Sequence, residues 1–230
     1  MTSARTAARR ARAPGAPGGP PLAGFTLIET ALATVIIGVG VVALVEAQQS
    51  FQASNAWSSQ AATATLLANE IREMTRTFPR HDPVTGLYLL DDALQGWGIE
   101  DGEVEPGDLD DVDDFDGLTF GTGGDFEGPI DAFGDVIPQL AADGSLVLDD
   151  EGNPLPLQGW RQAVTVEKLD PFNTALVRAD DYADAPLGEF AGRDVDDFPL
   201  RVTVVVTYQG PFDAEPAEVT RVVWIVPQTQ

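Results

Sequence analysis

Hydrophobic and polar positions change their rhythm twice along the chain. From Phe25 to Val45, a run of 21 residues, everything is apolar or small except Thr26, Glu29, Thr30 and Thr34. At about 1.5 Å of rise per residue a helix of this length crosses a bilayer core of about 30 Å. After Val45 the run becomes amphipathic. Trp57, Ala61, Ala64, Leu67, Ile71, Met74 and Phe78 recur at steps of three and four, which predicts one buried stripe, while Gln48, Gln52, Ser58, Gln60, Asn69, Arg72 and Arg76 fall elsewhere. No Pro or Gly interrupts 41–78, and Pro79 pushes Phe78 out of helical geometry. The pattern predicts one helix over 25–78, about 80 Å long.

Beyond Pro79 the helical period disappears. Residues 79–158 are rich in Gly, Pro and Asp, with short apolar pieces at 87–90 and 118–120 that suit edge strands or single helical turns. "DGSLVLDDEGNPLPL" reads as a hairpin with turns at Asp143-Gly144 and Glu151-Gly152-Asn153. Alternation around Val164 and Val166 predicts a strand at 159–171, with "TALVRAD" as its short partner. In 199–210, Val202, Val204, Val206 and Tyr208 share a face; in 218–227, Val219, Val223 and Ile225 oppose Val222, Trp224 and Val226. The predicted fold class is α+β: a long N-terminal helix packed on a C-terminal antiparallel β-sheet with irregular acidic loops. No internal repeat stands out.

Composition changes this picture in one respect, the placement of charge. The chain has 230 residues, no cysteine, a net charge of −24 and a pI near 4.1. Without cysteine there are no disulfides or thiolate metal sites. Residues 1–24 hold Arg5, Arg9, Arg10 and Arg12 and no acid; between His81 and Trp160 there are 21 Asp and Glu and no Lys or Arg. An acidic body of this kind repels nucleic-acid phosphates, so no nucleic-acid partner is expected. Arginines before the apolar run, and none after it until Arg72, predict a cytoplasmic N-terminus and a body across the membrane. The expected divisions are a basic segment at 1–24, a transmembrane helix at 25–45, its amphipathic continuation at 46–78, and a domain across the membrane at 79–230. A secretory signal peptide is the competing reading; it fits less well, because the apolar run is too long and contains Glu29.

A plain membrane anchor explains the length and the arginines but not Glu29, since an ionisable group in hydrocarbon needs a partner. "GFTLIE" followed by an uninterrupted apolar helix resembles the processing signature of type IV prepilins and of the pseudopilins of type II secretion. The resemblance implies cleavage after Gly24 by a prepilin peptidase and N-methylation of Phe25 as the new N-terminus, which makes 1–24 a leader peptide, 25–45 a transmembrane or filament-core helix and 79–230 a periplasmic pilin-like β-domain. It also implies an assembly role for Glu29. The freed amine of Phe25 is cationic at neutral pH. Glu29, four residues on, is the nearest acid able to neutralise it, within one chain or between stacked helices. Ala31, Ala33, Gly38, Gly40 and Ala43 suit close helix packing. The tail of the run is most similar to minor pilins and the I-type minor pseudopilin. The absence of a proline near residue 46 and of a C-terminal cysteine pair also favours a minor subunit over a major one.

For chemistry, the acid-rich stretch Gly107–Gly117 comes first. Asp111, Asp113, Asp114 and Asp116 are candidate oxygen ligands for Ca²⁺, although Phe115 breaks EF-hand spacing, and a solvated acidic loop is the alternative. No hydrolase signature accompanies the paired carboxylates that a glycosidase would need. There is no G-x-S-x-G, P-loop or H-E-x-x-H. His81, the single histidine, reads as a surface turn residue, and Trp97, Trp160 and Trp224 as core or sheet aromatics. A ligand-stacking role for Trp97 stays open. The expectation is a non-enzymatic subunit of a pseudopilus or pilus, resident first in the bacterial inner membrane. Its expected partners are the prepilin peptidase, other pilins or pseudopilins, and an inner-membrane assembly platform. A filament-tip binding or adhesion module, and a membrane-anchored acidic domain with no filament role, are the alternatives.

Overall fold

The computed structural model describes Gly24 and residues 26–228. Residues 1–23 of the expected leader, and Phe25, lie outside the described residues. The chain divides into two compact units, with the boundary between Gln52 and Ala53.

Helix α1 runs Leu27–Met74, and a 3₁₀ turn, Thr75–Thr77, follows it. Phe78 is extended, with ψ 145°, as the proline after it requires. The helix is long and apolar enough to cross a membrane by length and composition, and its most apolar stretch is wholly exposed. Polar atoms in that stretch are satisfied locally: Thr30 Oγ1 donates to the Leu27 carbonyl (2.9 Å) and Thr34 Oγ1 to the Thr30 carbonyl (2.8 Å). The surface left over is apolar on every side, from Leu27 to Val45.

In the second unit, the helical stripe is buried at Ala64, Leu67, Ile71 and Met74, joined by Ala68. Trp57, expected in the stripe, is 68% exposed, so burial begins a turn or more later than the periodicity implies. Seven strands follow: β1 Tyr88–Leu90, β2 Ala93–Gln95, β3 Thr119–Gly121, β4 Trp160–Asp170, β5 Asn173–Val177, β6 Leu200–Tyr208 and β7 Ala217–Val226. β1 and β2 form a small hairpin; the main antiparallel sheet has the order β3-β4-β6-β7, with β5 paired to β4. Register aligns the inward positions, Val164 with Val204 and Val166 with Val202. On β7 the inward set is Val222, Trp224 and Val226. A bulge opposite Val206/Thr207 turns Val219 to that same face, which strict alternation would not place there. The sheet's inner face and the buried helical stripe share one core with Leu109, Val112 and Phe115 from the loop between them.

Gln162 ties three segments together. It is fully buried, its Oε1 accepts from the Ile130 N–H (2.8 Å), and its Nε2 donates to the carbonyls of Leu67 (2.8 Å) and Ile130 (3.0 Å). Every hydrogen-bonding capacity used there is one that burial would otherwise leave unpaired.

In the region 130–157 the turns expected at Asp143-Gly144 and Glu151-Gly152-Asn153 are present, but the continuous strands of a hairpin are not. The region pairs through isolated bridges instead. It also contains a repeat that the sequence pattern hides. Three successive turns share the same two bonds. Gly134, Gly144 and Gly152 donate to the carbonyls of Asp131, Ala141 and Asp149, and these last three residues donate to the carbonyls of Asp135, Ser145 and Asn153. Each glycine has φ between 82° and 91°, a conformation costly for other residues.

Candidate functional site

Two places carry polar groups that the fold alone does not require. The first is the start of α1. Thr26 and Glu29 form a reciprocal cap. Glu29 Oε2 accepts from the Thr26 N–H (2.8 Å) and hydroxyl (2.9 Å), and Thr26 Oγ1 accepts from the Glu29 N–H (3.3 Å). This is the S/T-x-x-E capping box, so "TLIE" supplies a helix start as well as an acid in an apolar run. The carboxylate is turned back toward the chain start, one residue from Phe25. Phe25 itself, the expected methylated N-terminus, lies outside the described residues; Gly24 is exposed.

The second place is the loop from Trp97 to Asp116. Its apolar residues Leu109, Val112 and Phe115 are buried in the core, and the Val112 N–H bonds the Pro79 carbonyl at 3.0 Å. Anchoring those three side chains carries the intervening acids inward. Asp111 and Asp113 are 0% exposed and Asp114 is 1% exposed.

The four sequence-predicted ligands divide into two pairs. Asp113 lies 3.0 Å from His81 Nδ1 and also receives the Gly98 N–H at 3.4 Å. Burial, then the nearby Arg80 and Lys168 charges, pushes His81 down to about 4, and burial pushes Asp113 up to about 7. Their contact is therefore a hydrogen bond with a neutral imidazole rather than a full ion pair. Asp116 is half-buried and bridges the Val166 N–H (2.8 Å) and Trp97 Nε1 (3.2 Å). Trp97 is thus held from one edge by Asp116, and the ammonium of Lys168 sits 5.8 Å from its ring centre. Lys168 is fully buried and donates to the Asp180 carbonyl; burial brings it down to about 8. Asp113 and Asp116 therefore fasten the loop to the body.

Asp111 and Asp114 remain. Each commits one oxygen to backbone. Asp111 Oδ1 accepts from the N–H groups of Asp113 (2.9 Å) and Asp114 (3.1 Å). Asp114 Oδ2 accepts from those of Asp110 (3.0 Å) and Asp111 (3.1 Å). Their other oxygens, Asp111 Oδ2 and Asp114 Oδ1, have no partner, and neither does Glu100 Oε1. Glu100, Asp111 and Asp114 offer ligand atoms within 4.8 Å of one another, and Glu103, Asp110 and Asp114 form a second such group. Glu100 is raised to about 8 by burial and by the adjacent Asp114 charge, and Asp111 to about 10 chiefly by burial. Glu100, Glu103 and Asp110 were not among the expected ligands. Their signal is the turn at Glu100-Asp101-Gly102-Glu103, where the Glu103 N–H bonds the Glu100 carbonyl (3.3 Å) and folds the chain back over the aspartates.

No family model, curated protein or solved structure matches this chain.

Proposed function

We propose that the chain is a minor pilin-like or pseudopilin-like subunit of a type IV pilus or type II secretion pseudopilus. In this reading prepilin peptidase cuts after Gly24 and methylates Phe25. The subunit waits in the inner membrane with its acidic body in the periplasm, then joins the filament through α1. The observation that carries this is Gly24-Phe25-Thr-Leu-Ile-Glu opening a helix whose first turns are apolar on every side, with one acid folded back toward the cleavage point. An apolar surface of that length needs lipid or other helices around it. The open backbone at Gly38 and Gly40, where an added Cβ would meet nothing within 4 Å, suits close approach of a neighbouring helix.

The capping box supplies a sharp test, because Gln serves at that position of the box as Glu does. Glu29→Gln keeps the helix start and removes the charge. The expected result is normal cleavage, with an intact mass showing loss of residues 1–24 and gain of one methyl, but poor incorporation into filaments. Normal incorporation of Glu29→Gln would reduce Glu29 to a cap. A wild-type chain that is uncut, or cut elsewhere, would leave a membrane-anchored acidic domain with no filament role.

A further inference from the structure

Buried polar atoms in folded proteins nearly always have a hydrogen-bond partner, and a group without one asks for an explanation. Here three such atoms belong to neighbouring carboxylates: Glu100 Oε1, Asp111 Oδ2 and Asp114 Oδ1. Asp111 and Asp114 are almost entirely buried, and the three residues offer ligand atoms within 4.8 Å of one another. Backbone N–H groups hold the opposite oxygens of both aspartates, so their orientation is set before any ligand arrives. The charges acting on Glu100 and Asp111 are all those of other acids, while the nearby Arg80 and Lys168 act on His81 and Asp113. Clustered buried carboxylates repel one another unless something positive sits among them.

The geometry points to a Ca²⁺ site formed by Glu100, Asp111 and Asp114, with Glu103 and Asp110 completing its acidic rim. All the donors are oxygen, which selects a hard cation. No cysteine is present, and the single histidine is turned to Asp113. A crowd of carboxylates suits the larger, more flexible coordination of calcium better than magnesium, which keeps most of its water and takes one or two carboxylates. The ion would also have a structural effect. The same loop inserts Leu109, Val112 and Phe115 into the core, so neutralising its acids fixes that insertion. This inference rests on the body alone and does not depend on the filament reading.

The test uses the full chain in detergent, stripped with chelator and titrated with CaCl₂ by calorimetry and by thermal unfolding. Calcium at about one hundred times its Kd should raise Tm by roughly 5–10 °C, and MgCl₂ at equal concentration should raise it much less. Glu100→Gln removes a ligand charge while keeping the side chain's size and shape, and should weaken calcium binding by about tenfold or more. Asp143→Asn, in a distant turn, should bind as wild type does. No calcium heat and no Tm shift in the folded wild type at millimolar CaCl₂ overturns the site. So does wild-type affinity in Glu100→Gln, and an equal response to magnesium overturns the choice of metal. If Glu100→Gln does not fold, the wild-type titration decides by itself.

Discussion

In the stretch 130–157 the aspartates build turns. Asp131 Oδ1 accepts from the N–H groups of Phe133 and Asp135, Asp143 Oδ1 from Ser145, and Asp149 Oδ1 from Glu151 and Asn153. These carboxylates lie at the surface, and the donors hold Asp143 and Asp149 below the usual range. In the stretch 97–116, where acids are more than twice as dense (10 of 20 residues against 6 of 28), carboxylates behave in the opposite way. There burial and like charge push Glu100 and Asp111 up, and an oxygen on each finds no donor. Acid content alone does not carry a carboxylate into the interior. What decides is whether apolar neighbours drag the carboxylates inside. Leu109, Val112 and Phe115 do so in one loop, while Phe133, Leu140 and Leu146 stay exposed in the other.

The largest effect that would sharpen this contrast is in packing. Phe115→Ala should cost about 3–5 kcal/mol in urea unfolding, as truncation of a buried aromatic does, whereas Phe133→Ala, at 83% exposure, should change stability by less than about 0.5 kcal/mol. Similar costs for the two would break the comparison.

The next effect is in pH, and the two loops should show opposite signs. In chelator, Glu100 and Asp111 keep their protons up to about 8 and about 10 in the fold, against about 4 in an unfolded chain. The folded state then binds more protons across that window, so stability is greatest below it and falls as pH rises through it. Tm of the chelated protein should decline from about pH 5 to pH 8, and calcium should flatten the decline. A flat curve in chelator removes the distinction.

The smallest effect belongs to the turns. Asp149 lies below its usual range because the Asn153 and Glu151 N–H groups favour its charged form. Its contribution is present above about pH 4 and is lost as pH falls through its folded value. Asp149→Ala should lose part of the acid-side drop in Tm and leave the region above pH 5 unchanged. A Tm scan from pH 3 to pH 8 on both variants checks this.

Long periodic elements were the legible part of the fold. The helix and strands β4, β6 and β7 follow from repeats of 3.6 and 2 sustained over whole elements. Periodicity names a shared face but not where its cover begins, which is why Trp57 lies outside the core that starts at Ala64. It also misses a bulge, so Val219 changes sides. Two of the three glycine turns of 130–157, at Gly144 and Gly152, were legible; that all three repeat one pattern was not, because their common element is backbone bonding. Only two of the three open on Asp; the middle one opens on Ala141. At the acidic loop, Asp111 and Asp114 were visible as candidates. Glu100 was not, since it reaches them only through the turn at Gly102 and the burial of Leu109. At the N-terminus one short pattern carries two physical meanings, a cap and a charge, and only a substitution that separates them can rank the two.

Gln162 bears on how the body comes together. Its amide meets Leu67, 95 residues earlier in the chain, and Ile130, 32 residues earlier. An arrangement that brings in only one of them strands part of the amide away from water, a penalty that partial assembly cannot escape. The bonds of Gln162 therefore favour the joint arrangement of helix, turn region and strand over any partial one, by the roughly 1–3 kcal/mol that an unpaired buried polar group costs.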